Sequence, residues 1–342
     1  MGADFNRLGR NGTLDTSGIR AGARISAFLM IIALLSLGVD EMISAGLRKI
    51  NTSSFGVSNS IVGGKINADI LIAGSSRALN HYDPREIHRI TGHRSYNIGL
   101  NGSQTDIQLA RVRMYLAHNR KPKLLILNLD LFSFQVTHGE IYDPGQYIPY
   151  LNEKHLYDAL SAINPAMWKS KVIPLYGYVV EDLRLTWIKG LRSHFDLNPT
   201  EDHFFGFNPR YSAWTGDFQR YRESNGSGVQ VAIERKGIEE IDDLVKLCHD
   251  QEIQLVFVYS PEYLEMQAMT NNRRELFERF VELNRQTGTP FWDYSDSAIS
   301  ASRGNFYNSQ HLNAGGAAIF SAELAERIKS DASIAHVWGR GP

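Results

Sequence analysis

Runs at Asp69–Ala73, Leu124–Leu129 and Ile253–Tyr259 are mainly apolar and lack the alternation of a strand with one wet face. Such runs belong to parallel strands covered on both sides. Shorter runs at Ser95–Leu100 and Pro290–Tyr294 predict two more strands. Between them the apolar spacing becomes helical, over Pro84–Thr91, Thr105–Asn119, Gly237–Gln251, Asn272–Thr287 and Asn313–Ile328. Strands alternating with helices predict an α/β three-layer sandwich around a central parallel sheet with right-handed crossovers.

Residues 132–230 break this rhythm, so the α/β domain divides into 67–131 and 231–330 with a large mid-chain insertion between. The insertion has few clear strands and many aromatics, among them Tyr142, Tyr147, Tyr150, Trp168, Tyr178, Phe205, Phe207 and Trp214. These rings read either as a subdomain core or as a wall or lid for sugar rings, because aromatic faces serve both uses. Residues 48–66 hold Ser, Gly and Asn and read as a linker. Residues 331–342 read as a C-terminal tail.

The N-terminus has its own pattern. Residues 1–24 are polar and carry Arg7, Arg10, Arg20 and Arg24, and an apolar run from Ile25 to Val39 follows. Fifteen helical residues reach about 22 Å, short of the roughly 30 Å hydrocarbon core. Continuing to Leu47 gives enough length, with Asp40 and Glu41 near the outer interface. Residues 25–47 are therefore expected to be a membrane anchor, with a cleaved signal peptide or a buried soluble helix as alternatives. As an anchor, the arginines hold 1–24 in the cytoplasm and the main domain lies outside, periplasmic or extracellular.

A formal net charge of −1 supplies no field to attract nucleic acid. A single cysteine, Cys248, excludes a disulfide framework and a thiolate metal site, and the histidines form no HxH or HExxH spacing. No metal and no other cofactor is expected.

Two segments far apart in the chain carry candidate chemistry. The first strand breaks into Gly74-Ser75-Ser76-Arg77, where Gly74 allows a sharp turn and the turn lifts a hydroxyl beyond the strand end. In open parallel sheets that is where ligands bind. The second segment, Asn308-Ser309-Gln310-His311-Leu312-Asn313, lies just before the last helix. A serine hydroxyl needs a base within hydrogen-bond reach, and His311 is the candidate base for Ser76. Backbone N–H groups of Ser76 and Gly102, with the Asn101 side-chain amide, are candidate oxyanion donors. A histidine base is best served by a carboxylate on its other ring nitrogen. Asn308 stands three residues before His311 and offers only a neutral carbonyl. Asp293, Asp296 and Asp130 are the alternative carboxylates.

These segments resemble the SGNH (GDSL-type) hydrolase superfamily. Ser75 stands where the usual Asp stands and Ser76 where the nucleophile stands. Asn97 to Ser103 resembles the second block, with Gly102 as oxyanion-hole glycine, and Asn308 to Asn313 resembles the final Asp-x-x-His block, with His311 as base. The resemblance covers about 66–131 and 236–330 and implies an SGNH, flavodoxin-like sandwich. Two positions depart from it: Phe132 stands about where the third block offers an Asn, with Asn128 and Asp130 nearby, and Asn308 replaces the Asp. Gly-Ser-Ser behind an N-terminal membrane segment is similar to bacterial DltD-type and alginate-type acetylation proteins. That similarity implies a serine esterase or O-acyltransferase on a cell-envelope or exported polysaccharide, through an acyl-serine, beside a membrane-bound acyl-carrier protein. The other expectation, resting on Asn308, is a catalytically weakened binding or assembly protein of the same fold.

Overall fold

The computed structural model describes residues 16–180, 184–197 and 203–339. Five strands, β1 (Ile70–Ala73), β2 (Ser95–Asn97), β3 (Leu124–Asn128), β4 (Gln254–Tyr259) and β5 (Phe291–Asp293), form one sheet in the order β2-β1-β3-β4-β5. Every pairing is parallel. The chain leaves β1 to one side for β2 and returns on the other side for β3. The break in direction therefore falls at the C-terminal end of β1, where a crevice opens.

Side chains alternate across the sheet and both faces are buried, which is why the strands read as solid apolar runs. Leu71, Ala73, Leu125, Leu127, Leu255 and Phe257 join one core cluster. Ile70, Ile72, Leu124, Ile126, Val256 and Val258 join the other. Helices α1 (Thr16–Leu47), α2 (Ser53–Val62), α3 (Ser76–His81), α4 (Pro84–Thr91) and α5 (Thr105–His118) precede β3. The insertion contributes α6 (Lys154–Ile163), α7 (Met167–Val172), α8 (Tyr176–Val180), α9 (Arg184–Ser193) and α10 (Asp217–Ser224). Then come α11 (Arg235–Asp250), α12 (Leu264–Gln267), α13 (Arg273–Thr287) and α14 (Ala314–Ser330). Helices α2, α5, α11 and α13 bury residues in the first cluster, and α4 and α14 in the second. The three-layer α/β sandwich expected from the sequence is present.

Three boundaries differ from the sequence reading. Residues 48–66 are not a linker: α2 lies within them and buries Phe55, Val57 and Ile61. Its Ser and Asn content imitates loop composition, yet Asn59 uses its side-chain amide to cap the carbonyls of Leu47 and Ile50. Residues 331–342 are not all tail, since a 3₁₀ helix at Ala332–Trp338 buries Ile334 completely and stacks Trp338 on His93 at 3.8 Å. The insertion is not a separate subdomain in its first half. Phe134, Tyr147, Tyr150, Leu160 and Tyr178 belong to the same core cluster as the sheet. Six of its aromatics, Phe134, Tyr147, Tyr150, Tyr178, Phe207 and Phe218, are buried in the core, whereas Phe132 and Tyr221 line the cleft described below.

Helix α1 holds the one stretch among the described residues long and apolar enough to cross a membrane, Arg20–Leu47. Its apolar side chains from Ile25 to Val39 are largely exposed, so it is not a core helix of a soluble domain. Only its last turns, Ile43 to Leu47, are buried.

Candidate active site

The turn after β1 is set by backbone sterics. Gly74 has φ +142°, and a Cβ there would come within 3.0 Å of side-chain carbons of Ala78 and Asn128. Only glycine suits that combination. Ser75 then caps α3, its Oγ accepting from the Arg77 N–H at 3.2 Å. Ser76 is the first helical residue and its side chain faces a cleft of about 160 Å³.

His311 reaches Ser76 from the far end of the chain, with Nε2 2.7 Å from the serine Oγ. Its tautomer follows from the other nitrogen. Asn308 Oδ1 faces three N–H groups, those of Gln310 (3.0 Å), His311 (2.9 Å) and the ring Nδ1 of His311 (2.9 Å). Only the oxygen of an amide can accept all three, so Nδ1 carries the proton and Nε2 presents its lone pair to the Ser76 hydroxyl. The sequence-predicted Ser76, His311 and Asn308 thus form one connected chain of hydrogen bonds.

The electrostatics favour the neutral base. Burial, then the charges of Arg77 and Arg210, push the His311 pKa down to about 3. The imidazole is a ready proton acceptor at any physiological pH, but the imidazolium it must become is poorly supported. Among the described residues the partner of Nδ1 is the neutral Asn308 amide, and no ion pair of His311 with a carboxylate offsets that cost.

Two buried carboxylates line the cleft, Asp130 and Glu262, and Asp130 lies behind the serine turn. Asp130 accepts from the Ser75 hydroxyl and, at 3.0 Å, from the Asn128 amide, with an Arg77 guanidinium nitrogen 3.4 Å away. Burial raises its pKa and Arg77 opposes the rise. Arg77 is itself buried, donating to the carbonyls of Ser260 and Pro261 with its guanidinium 4.4 Å from the Tyr259 ring centroid.

Gly102 lines the same cleft as Ser76. It has φ +66°, and a Cβ there would strike the Tyr142 ring at 2.3 Å. Among the described backbone hydrogen bonds, neither the Ser76 nor the Gly102 N–H donates to a carbonyl. Asn101 is directed elsewhere: its amide donates to the Tyr142 hydroxyl at 2.9 Å, and it is not among the cleft-lining residues. Asn128 is fully buried, its Oδ1 accepting from Tyr82 at 2.7 Å. Asp293 is exposed and accepts from its own turn at Ser295, and Asp296 is exposed as well. Neither is a hydrogen-bond partner of His311, whose Nδ1 is held by Asn308.

Two supports of the histidine loop had no sequence signal. His81 is completely buried, and the Leu312 N–H donates to its Nε2 at 3.1 Å. Its Nδ1–H therefore donates to Ser260 Oγ at 2.8 Å. Burial and nearby Arg77 hold its pKa well below the usual imidazole range. From the insertion, Asp217 accepts from the Ser309 hydroxyl at 3.2 Å and from its N–H at 3.3 Å. Tyr307 stacks on the His311 ring at 5.4 Å between centroids, and the Arg210 carbonyl accepts from the Ala314 N–H at 2.8 Å.

No protein-family model matches the chain, and no curated protein matches it. Solved structures do. A protein assigned to the lipolytic G-D-S-L family, from Desulfitobacterium hafniense DCB-2, is similar at 11% identity and a TM-score of 0.38, over 76% of this chain and 99% of that one. A Bacteroides fragilis NCTC 9343 protein assigned as an acylhydrolase is similar at 11% identity and a TM-score of 0.35, over 75% and 86%. A Streptococcus pneumonia structure assigned as a platelet activating factor gives 11% identity and a TM-score of 0.37, over 90% and 99%. At that distance the reading of function rests on the site geometry.

Proposed function

We propose that this chain is an SGNH-type serine esterase or O-acyltransferase, anchored by α1 with its α/β domain outside the cytoplasmic membrane. The carrying observation is the 2.7 Å contact between His311 Nε2 and Ser76 Oγ, open to a cleft at the sheet's switch point. His311 takes the Ser76 proton as Oγ attacks an ester carbonyl carbon. The negative charge that develops on the carbonyl oxygen meets the N–H groups of Ser76 and Gly102. The imidazolium returns its proton to the leaving alkoxide, which leaves an acyl-serine. Water or an acceptor hydroxyl, deprotonated by the same imidazole, then resolves it. A cleft of about 160 Å³ suits a short acyl group. The acyl-bearing partner we favour is an envelope or exported polysaccharide, served by a membrane-bound acyl carrier. The cleft-lining rings Phe132 and Tyr221 and the apolar helix α1 support that choice.

The test is fluorophosphonate labelling and p-nitrophenyl acetate turnover by the full chain in detergent, wild type against Ser76→Ala. Labelling and slow turnover are expected in the wild type and neither in the variant. Equal turnover in both removes Ser76 as nucleophile. One observation favours a second reading, a binding or assembly protein with a weakened site: Asn308 in place of a carboxylate against a histidine held near pKa 3. Glycan binding that persists in a wild type that neither labels nor turns over substrate would select it.

A further inference from the structure

The exit of α1 is held by Leu175, by α8 and by α9 with the turn that follows it, and these contacts have a specific height. Asp40 Oδ1 accepts from the Leu175 N–H at 2.8 Å. Ser44 Oγ pairs with the Tyr178 hydroxyl at 3.0 Å, and the Met42 carbonyl lies 2.8 Å from His194 Nε2. These contacts fall between Asp40 and Ser44, one turn or so beyond the last residue of the Ile25–Val39 apolar run. At 1.5 Å per residue, the collar stands within about 8 Å of the level where that run ends. A spanning α1 therefore brings the collar to the headgroup layer.

Within two residues of each of these anchor points the collar turns apolar side chains outward. Ile173 is 41% exposed beside Leu175, and Val179 and Val180 are 70% and 56% exposed beside Tyr178. Phe195 is 75% exposed beside His194. Large apolar groups in water around the base of an apolar helix are unfavourable, at about 25 cal/mol per Å² exposed. The same stretch, residues 167–197, carries five Lys or Arg against three Asp or Glu. Basic residues interleaved with exposed apolar ones are the composition of a segment that lies in a lipid interface.

We propose that residues 167–180 and 184–197 form a monotopic collar seated in the headgroup layer of an anionic bilayer, gripping both α1 and the lipid. This rests on α1 spanning the membrane and not on the catalytic reading. Phospholipid is the occupant favoured over a protein because the exposed apolar groups lie beside residues that hold α1 just past the end of its apolar run, and the stretch is net basic.

The test is spin labelling of the full chain in phosphatidylcholine/phosphatidylglycerol vesicles. Cys248 is buried, with its thiol pushed up to about 12, so introduced cysteines label selectively. Labels go on Ile173→Cys, Val180→Cys and Phe195→Cys, with Leu264→Cys as a site on the water side and Leu34→Cys inside the span. At the three collar sites oxygen collisions are expected to exceed those of a nickel chelate several-fold, as at 34, with the reverse at 264. Collar labels that behave like 264 overturn the collar if 34 reads as lipid. If 34 also reads as water, the spanning assignment of α1 is overturned and the collar with it. Collar labels shielded from both reagents indicate a protein contact, a second copy included, and overturn the lipid assignment.

Discussion

The two halves of the site are held by different means. The turn that carries Ser76, the proposed nucleophile, continues from the sheet: Gly74 leaves β1, Ser75 caps α3, and Asp130, just past the end of β3, accepts from the Ser75 hydroxyl. The base loop, 307–313, borrows its support from Asp217 and Arg210 of the insertion and from the buried ring of His81. Charge is divided just as unevenly. A buried carboxylate stands behind the serine, while the histidine has an amide behind it and two guanidinium groups near it. The arrangement positions a base well and stabilises its protonated form badly. Geometry and charge are thus separable here, and the separation can be measured.

The largest effect is expected from His311→Ala, which removes both. It should lower kcat/KM by roughly 10³-fold or more, the scale on which triad members act, and slow fluorophosphonate labelling of Ser76. Retained labelling would show that the serine is activated by something other than this loop.

Asn308→Asp should restore charge without disturbing geometry, since a carboxylate oxygen accepts the same three N–H groups. A rise in kcat/KM of about 10²-fold is expected, part of the roughly 10⁴ that the opposite change costs a triad enzyme. The pH profile separates this from a packing change. With its pKa near 3, wild-type His311 stays an unprotonated base, so kcat/KM should be flat from pH 8 down to 5. The new carboxylate favours the imidazolium, raises the pKa, and should bring an acid limb into that window. A faster variant with a flat profile would contradict the charge argument.

Gly102→Ala forces a positive φ and a clash with Tyr142. A loss in kcat of about 10-fold to 10²-fold is expected, consistent with a displaced oxyanion donor, with KM changing less. Asp217→Asn addresses the loop's outer support. A several-fold fall in kcat and a stability loss of about 1 kcal/mol are expected, read by turnover and thermal melting. No change in either would show that His81 and the Arg210 carbonyl hold the loop without Asp217.

Stability should also depend on pH. His81 and His311 have folded-state pKa values below the usual imidazole value of roughly 6.5. The unfolded chain binds protons at these two residues more readily, so their contribution is complete above about pH 6.5 and is lost as pH falls below it. Tm should drop between pH 7.5 and 5.5, and Asn308→Asp should reduce that drop.

The strands were legible because burial on both faces writes itself as uninterrupted Val, Ile and Leu. Ser76 stood out as a candidate because its turn, weak as a signal alone, follows the first buried strand. What the sequence hid was tertiary. Asp217 meets Ser309 across 92 positions, and no local pattern announces that contact. His81 looked like any other histidine, because its role comes from a backbone N–H 231 positions away. Helix α2 was hidden by composition: its serines and asparagines imitate a loop while Phe55, Val57 and Ile61 do the packing. Asn101 and Asp293 were plausible by position, but a nearer partner claims each.

Helices α1 and α9 cross with almost no gap. A methyl carbon on Gly46 would lie 1.9 Å from the Gly190 carbonyl oxygen, and one on Gly190 would lie 2.6 Å from that of Ile43. Main chain against main chain leaves no flexible side chain to act as a swivel. If α1 is rooted in a bilayer, the reactive groove keeps a constant altitude and bearing above it. A polymer strand would then have to be delivered to that altitude, and lengthening the stem below Gly46 by whole turns would lift the groove like a post under a table.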